Sequence, residues 1–258
     1  MIEFKKLKPQ KILVGCPTSE AKSYCEEEYL ATITNLMYPK ELYDILIIDN
    51  SRTGKNAKRI NKLGIPCRHV NPIGKTNQQY IAESQEVLRE YALEKGYDIL
   101  VMIESDVIPP LYCITSLLSH QKPVVCGSYF IGHGVDSYPM RQLVESDGNQ
   151  ERYTINSDGM HSINDFDGKL KEVQNGGFGC IAIHKSVLKQ IKFRAEKGAD
   201  SHSDSYFGAD LAQLGIKQYQ DTSLFCKHLN SNWNIVLDAY VIPENSKLDP
   251  GIIIEVKT

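Results

Sequence analysis

Short β-branched apolar runs alternate along the chain with longer segments in which apolar residues recur at steps of three and four. The runs read as strands and the steps as helices that bury one face. Strands are predicted over Lys11–Gly15, Ile45–Asp49, Cys67–Asn71, Ile99–Ile103, Pro123–Gly127 and Gly179–Ile183, with a late one over Ile235–Val241. Ser19–Met37, carrying Tyr29, Leu30, Ile33 and Leu36 on one face, and Thr76–Lys95, carrying Ile81, Ser84, Leu88 and Tyr91, are predicted helices. Leu111–Leu118 and Asp204–Leu214 are shorter ones, the second closed by Gly215. Strands alternating with helices predict an α/β fold of Rossmann-like type, with a mostly parallel central sheet flanked by helices.

From Gly132 to Asn175 the pattern gives way to Asp, Ser, Asn and Gly, with short apolar alternations only at Met140–Val144 and Arg152–Ile155. That is too long for an ordinary connection, so it is expected to form a polar hairpin or lid facing substrate. The chain of 258 residues is read as one domain, with a nucleotide-binding half over about 1–127 and an acceptor and lid half over about 128–258. No apolar run is long enough to cross a bilayer, and the start MIEFKKLKPQK lacks a signal-peptide core, so a cytoplasmic location is expected.

Seven cysteines, an odd number with no C-x-x-C pair, suggest neither a disulfide framework nor a zinc ribbon. A formal net charge of −3 does not mark a nucleic-acid binder. Basic clusters at Lys5, Lys6, Lys8 and Lys11, and at Arg52, Lys55, Lys58, Arg59 and Lys62, read as solvated faces, with phosphate contact as the alternative.

Chemistry concentrates in ILVMIESDVIPP, where a buried strand runs into Glu104, Ser105 and Asp106. Side chains two apart on a strand face the same way, so two carboxylates would meet at the strand's carboxyl end, where open α/β sheets bind ligands. Hard oxygen donors there suit Mg²⁺ or Mn²⁺ holding a diphosphate. An acidic strand exit without a metal is the alternative.

Six segments in order then resemble the GT-A glycosyltransferases, particularly the inverting, D-x-D-type, family-2-like group. They are Gly15-Cys16-Pro17-Thr18, Ile48-Asp49-Asn50-Ser51, Glu104-Ser105-Asp106, Gly176-Gly177-Phe178-Gly179-Cys180, Asp204-Ser205-Tyr206-Phe207 and Asp221 to His228, and they span most of Lys11–Leu229. The resemblance implies that Pro17, Thr18, Asp49, Asn50 and Ser51 hold the nucleoside, with Ser105 and Gly177 also on the donor side. It implies that Asp106 is the principal metal-coordinating carboxylate, that Glu104 reaches the ribose or a metal-bound water, and that His228 completes the metal site. An imidazole ligand favours Mn²⁺ over Mg²⁺. Asp204 falls where the family places its general base.

The residues themselves leave alternatives. Asp204 also reads as a helix N-cap, His228 as a hydrogen-bonded strand residue, and Trp233 as either a stacking or a core side chain. The triplet opens with Glu where the family has Asp, and Ser84-Gln85-Glu86 stands where relatives often carry Arg-Asn, which implies an unusual donor. The implied activity is sugar transfer from a nucleotide diphosphate donor, expected to be a UDP-sugar, to an acceptor hydroxyl. The acceptor stays open among a glycan, a protein and a hydroxymethylated DNA base, the last because related compact, anchor-free enzymes of bacterial viruses act on DNA. A pyrophosphorylase would carry a Gly-rich basic loop after the first strand, where GCPTSEAKSY stands instead. A catalytically silent nucleotide-sugar-binding module on the same fold is the other competing class.

Overall fold

The computed structural model describes residues 9–131, 138–139, 142–144, 150–151, 168–196 and 201–229. Its first half runs β1 (Ile12–Thr18), α1 (Glu26–Thr34), β2 (Tyr43–Asp49), α2 (Lys55–Lys62), β3 (Cys67–His69), α3 (Asn77–Glu94), β4 (Ile99–Ile103) and β5 (Val107–Ile108). Then come α4 (Cys113–Ser119), β6 (Val124–Ser128), β7 (Phe130–Ile131), β8 (Tyr138–Pro139), β9 (Gln142–Val144) and β10 (Gln150–Glu151). The chain closes its described part with β11 (Leu170–Asn175), β12 (Cys180–His184), α5 (Lys185–Leu188), α6 (Ser203–Gln213), β13 (Gln218–Phe225) and β14 (Lys227–His228). Trp233 and the expected strand over Ile235–Val241 lie outside the described residues, as does most of the polar stretch from Gly132.

Ten strands form one sheet in the order β10-β9-β11-β13-β6-β12-β4-β1-β2-β3. Successive residues of a strand face opposite sides, and β1 shows the result. Ile12, Val14 and Cys16 join one core with Tyr29 and Ile33 of α1, Ile60 of α2 and Leu117 of α4. Leu13 joins a second core with Leu88 and Ala92 of α3, Val187 and Leu188 of α5, and Phe207 and Leu211 of α6. Both faces are thus covered, which is why the central strands read as continuous apolar runs. The first turn of α3 is fixed by Thr76, whose Oγ accepts from Gln79 N–H at 3.3 Å while Gln79 Oε1 accepts from Thr76 N–H at 3.1 Å. Such a capping box stabilises a helix by about 1 kcal/mol.

The sheet is mixed, which corrects the expectation of a mostly parallel one. β1 runs parallel to β2 and β4, and β2 to β3, but β12 lies antiparallel to both β4 and β6, and β11 antiparallel to β13 and β9. β12 enters the sheet from the end at which β4 leaves it, pairing Cys180 with Ile103. A strand buried on both faces shows the same apolar run in either direction, so the pattern could not tell them apart.

β1 has β2 on one side and β4 on the other, so the chain's path reverses between β1 and β4. A crevice opens at such a switch point, beyond the carboxyl ends of the strands. Among the described residues, no helix is long and apolar enough to cross a membrane.

Candidate active site

A cleft of about 520 Å³ occupies the switch point. Pro17 and Thr18 from the end of β1 line it with Asn50 after β2, Glu104, Ser105 and Asp106 after β4, Asp204 of α6 and His228 of β14. Eight of the sequence-predicted residues therefore meet in one place, although the last two are remote in sequence from the first six.

Three do not line it. Asp49 is fully buried, and its carboxylate is used inside the β2–α2 corner. Its Oδ1 accepts from Ser51 N–H at 3.1 Å, Ser51 Oγ at 2.5 Å and Asn56 Nδ2 at 3.3 Å, and its Oδ2 from Ala57 N–H at 3.0 Å. Ser51 also accepts from Glu20 N–H at 2.9 Å, tying this corner to the segment after β1. Gly177 sits beside the cleft in the left-handed region, with φ +69°, where a side chain would be strained. Asp49 and Ser51 thus shape the rim that presents Asn50, and Gly177 permits the turn that presents Phe178.

Glu104 and Asp106 converge for a reason other than the predicted strand alternation. β4 ends at Ile103, where Tyr29 Oη donates to the Ile103 carbonyl at 3.0 Å. Glu104 to Asp106 then form a turn closed by Val107 N–H donating to the Glu104 carbonyl at 2.9 Å. His228 arrives opposite through the two-residue sheet of β5 and β14, which pairs it with Val107, and Leu229 N–H donates to the Asp106 carbonyl at 2.6 Å. Tyr129 stacks its ring edge-on to His228, centroids 5.8 Å apart, and its Oη accepts from Gly179 N–H at 3.1 Å. A Cβ at position 179 would lie 2.5 Å from that ring, so glycine is required for the tyrosine to reach the cleft.

His228 Nδ1 lies 2.7 Å from the Phe130 carbonyl, which can only accept, so Nδ1 carries a proton. Nε2 is left toward Asp106 Oδ2 at 3.4 Å. Lys22, from the one-turn helix Glu20–Lys22, forms an ion pair with the same Oδ2. Burial acts to raise the Asp106 carboxyl, but the His228 hydrogen bond and the Lys22 charge outweigh it and hold it below its usual value. Burial likewise opposes charge on His228, and its contacts with Asp106 reverse the sign, leaving the imidazole raised. Glu104 goes the other way. Burial, reinforced by the charges of Asp106 and Asp204, pushes it up to about 7.

Asp204 is not the N-cap. His202 holds that position, and Asp204 lies in the first turn of α6, its Oδ1 accepting from Ser205 N–H at 2.8 Å. The side chain is half-buried and lines the cleft. Gln85, on α3, lines the cleft and accepts from Ser203 Oγ at 2.6 Å, whereas Glu86 turns to Arg89. Sequence reasoning passed over Lys22 and Tyr129, and noted Gln85 only as part of a departure from the family pattern. A lone Lys in EAKSY carries no pattern, and only the demand of three clustered carboxylates for a counter-charge would have singled it out.

Among the described residues no group of three His, Cys, Asp or Glu side chains is arranged to hold a metal ion. Asp106 and His228 offer one carboxylate and one imidazole, the latter with its second nitrogen anchored on a carbonyl as metal-ligating histidines require. Mg²⁺ and Mn²⁺ in phosphate-handling sites take one or two protein donors and complete their shell with substrate phosphates and water. The residues therefore fit an ion held weakly by the protein, whose shell a diphosphate would complete.

No family model matches the chain, and no curated protein sequence does. Solved structures do. GalNAc-T7 with UDP, GalNAc and Mn²⁺ superposes with a TM-score of 0.59 at 10% sequence identity, over 85% of this chain. The fold is GT-A. This chain spans 44% of the length of that neighbour. A197 from STIV aligns over 85% of this chain and 86% of its own at 16% identity, but with a TM-score of 0.45 the superposition is too loose to decide anything.

Proposed function

We propose that this chain is a metal-dependent, inverting glycosyltransferase that moves a sugar from a nucleotide diphosphate donor, a UDP-sugar, onto an acceptor hydroxyl. One observation carries the reading: a carboxylate and an imidazole with a fixed tautomer meet at the switch-point crevice, with two further carboxylates on the same walls. Pro17, Thr18 and Asn50 receive the nucleoside, on a rim set by Asp49 and Ser51. Glu104 and Ser105 face the ribose. Asp106 and His228 hold Mn²⁺, which supplies the positive charge that stabilises the departing diphosphate.

Asp204 takes the proton from the acceptor hydroxyl as that oxygen bonds to the anomeric carbon and the bond to the diphosphate breaks. Its Oδ1 contact with Ser205 N–H holds the carboxylate in one orientation. Attack from the face opposite the leaving group gives inversion. The nucleotide half, about 1–127, supplies the donor contacts, and the half from about 128 supplies the base and the imidazole.

Calorimetric titration with UDP and Mn²⁺ tests the donor site. Asp106→Ala is expected to abolish metal-dependent binding and His228→Ala to weaken it. Unchanged affinity in both variants overturns the assignment. Metal-dependent hydrolysis of a UDP-sugar separates an enzyme from a silent binding module.

A further inference from the structure

We infer that Lys22 is an exchangeable counter-ion: it neutralises Asp106 while the cleft lacks donor, and moves onto the donor diphosphate when the divalent ion takes Asp106. The inference rests on the donor-site reading above and adds a linkage between metal and donor.

Three carboxylates, Glu104, Asp106 and Asp204, share the cleft walls, and Lys22 is the single lysine or arginine among the described residues that line it. Its ammonium pairs with Asp106 Oδ2, the same oxygen that faces His228 Nε2. The gap between that oxygen and that nitrogen is where an ion using both would sit, so the ammonium and the divalent ion compete for one position. Like charges at that range repel, and the ion's arrival displaces the lysine.

The displaced ammonium has somewhere to go. Lys22 follows β1 by a single turn, its backbone fixed by its own N–H donating to the Ser19 carbonyl at 2.9 Å. Neighbouring Glu20 N–H is fixed on Ser51 Oγ. The anchored backbone keeps the stem at the cleft wall, while the flexible four-carbon side chain, 37% exposed, can swing without unfolding anything. The Tyr24 ring, 62% exposed, lies 5.9 Å from the ammonium and presents no competing anion. A diphosphate bound at Asp106 would bring new negative charge within reach of the stem. Metal and donor then bind as a pair, each relieving the cost that the other meets alone, and linkage makes the effect reciprocal.

The experiment measures Mn²⁺ alone, by electron paramagnetic resonance of free Mn²⁺, and UDP at saturating Mn²⁺, by calorimetry. Wild type, Lys22→Met and Lys22→Arg are compared, with Asp106→Ala as control. In Lys22→Met, Mn²⁺ alone is expected to bind about tenfold tighter and UDP about tenfold weaker, so the factor by which each ligand tightens the other collapses. Lys22→Arg keeps the cation and is expected to retain the wild-type coupling. Mn²⁺ affinity unchanged or weakened in Lys22→Met, with a wild-type melting profile, overturns the inference. If Asp106→Ala leaves Mn²⁺–UDP binding intact, the donor-site reading itself fails. If Asp106→Ala abolishes that binding while Lys22→Met matches wild type, only the counter-ion role is lost.

Discussion

Asp49, at the end of β2, and Asp106, in the turn after β4, lie at the same end of the sheet, yet they are treated in opposite ways. Around Asp49 the protein supplies every partner: two backbone amides, a hydroxyl and a side-chain amide converge on one carboxylate with no access to solvent. Around Asp106 it supplies a flexible ammonium and an imidazole at long range, and beside it Glu104 is raised by burial and by the charges of Asp106 and Asp204, which His228 and Lys22 offset only in part. A carboxylate finished by its own chain builds a corner, whereas one left partly finished can bind something else. Asp221 belongs with Asp49. It accepts from Ser116 Oγ at 2.8 Å, His120 Nε2 at 2.9 Å and Ser223 N–H at 2.9 Å, and clamps α4 to β13.

The contrast breaks most sharply at Asp204. Asp204→Asn keeps the size of the side chain and an oxygen for Ser205, so the fold and the donor affinity are expected to survive. Turnover should fall by about 10²–10⁴-fold, the usual cost of losing a general base. A product of retained anomeric configuration would instead end the single-displacement mechanism.

Asp49→Ala should move the other axis. Removing a buried acceptor strands its donors, costing about 1–3 kcal/mol, read as a lower melting temperature with or without nucleotide. A variant that melts normally but fails to bind UDP would return Asp49 to direct contact with the nucleoside.

Asp221 sharpens the comparison through pH. Burial acts to raise its carboxyl, and the hydrogen bonds from Ser223, His120 and Ser116 outweigh that and leave it lowered. A lowered folded value means that its stabilisation is fully present above the unfolded pKa of about 3.9 and is lost as pH falls through the folded one. Asp221→Asn is therefore expected to lower the melting temperature at neutral pH and to flatten the acid limb of a melting-temperature profile below about pH 4. An acid limb identical to wild type would count against the clamp. The smallest expected effect has the opposite sign. Glu104→Gln removes a charge that burial and two neighbouring carboxylates disfavour, so it should stabilise the free protein by about 0.5–2 kcal/mol while lowering turnover, and a lower melting temperature would show that Glu104 is structural.

The same division explains what could be read from the chain. β1, β2, β4 and β12 were legible because their interiors are apolar runs, and α3 because Ala82, Leu88 and Ala92 fall on its buried face, although it also buries Ser84, Gln85 and Arg89. β13 was not, for it buries Gln218, Gln220, Asp221 and Thr222, and polar residues paired inside a sheet look like loop residues in a sequence. α2 hides in KNAKRINK, where only Ala57 and Ile60 mark the apolar stripe. Within the site, Glu104 and Asp106 were visible from the strand that delivers them, although a turn rather than strand alternation brings them together. His228 and Asp204 were visible only through resemblance to a family, because nothing local shows that a two-residue strand and a helix start will close on a turn about a hundred or more positions earlier.

That long closure sets the order in which the molecule is assembled. Asp106 and His228 are 122 positions apart, and they are joined by strands of two residues each. Contacts so far apart in the chain are costly to close and form late, after local units have condensed. During synthesis the β1–β4 unit emerges and can fold first, with Asp106 already delivered to its edge. A nascent chain would thus hold the rim built by Thr18 and Asn50 well before it holds the imidazole, and the cleft is complete only when the last described strand has docked.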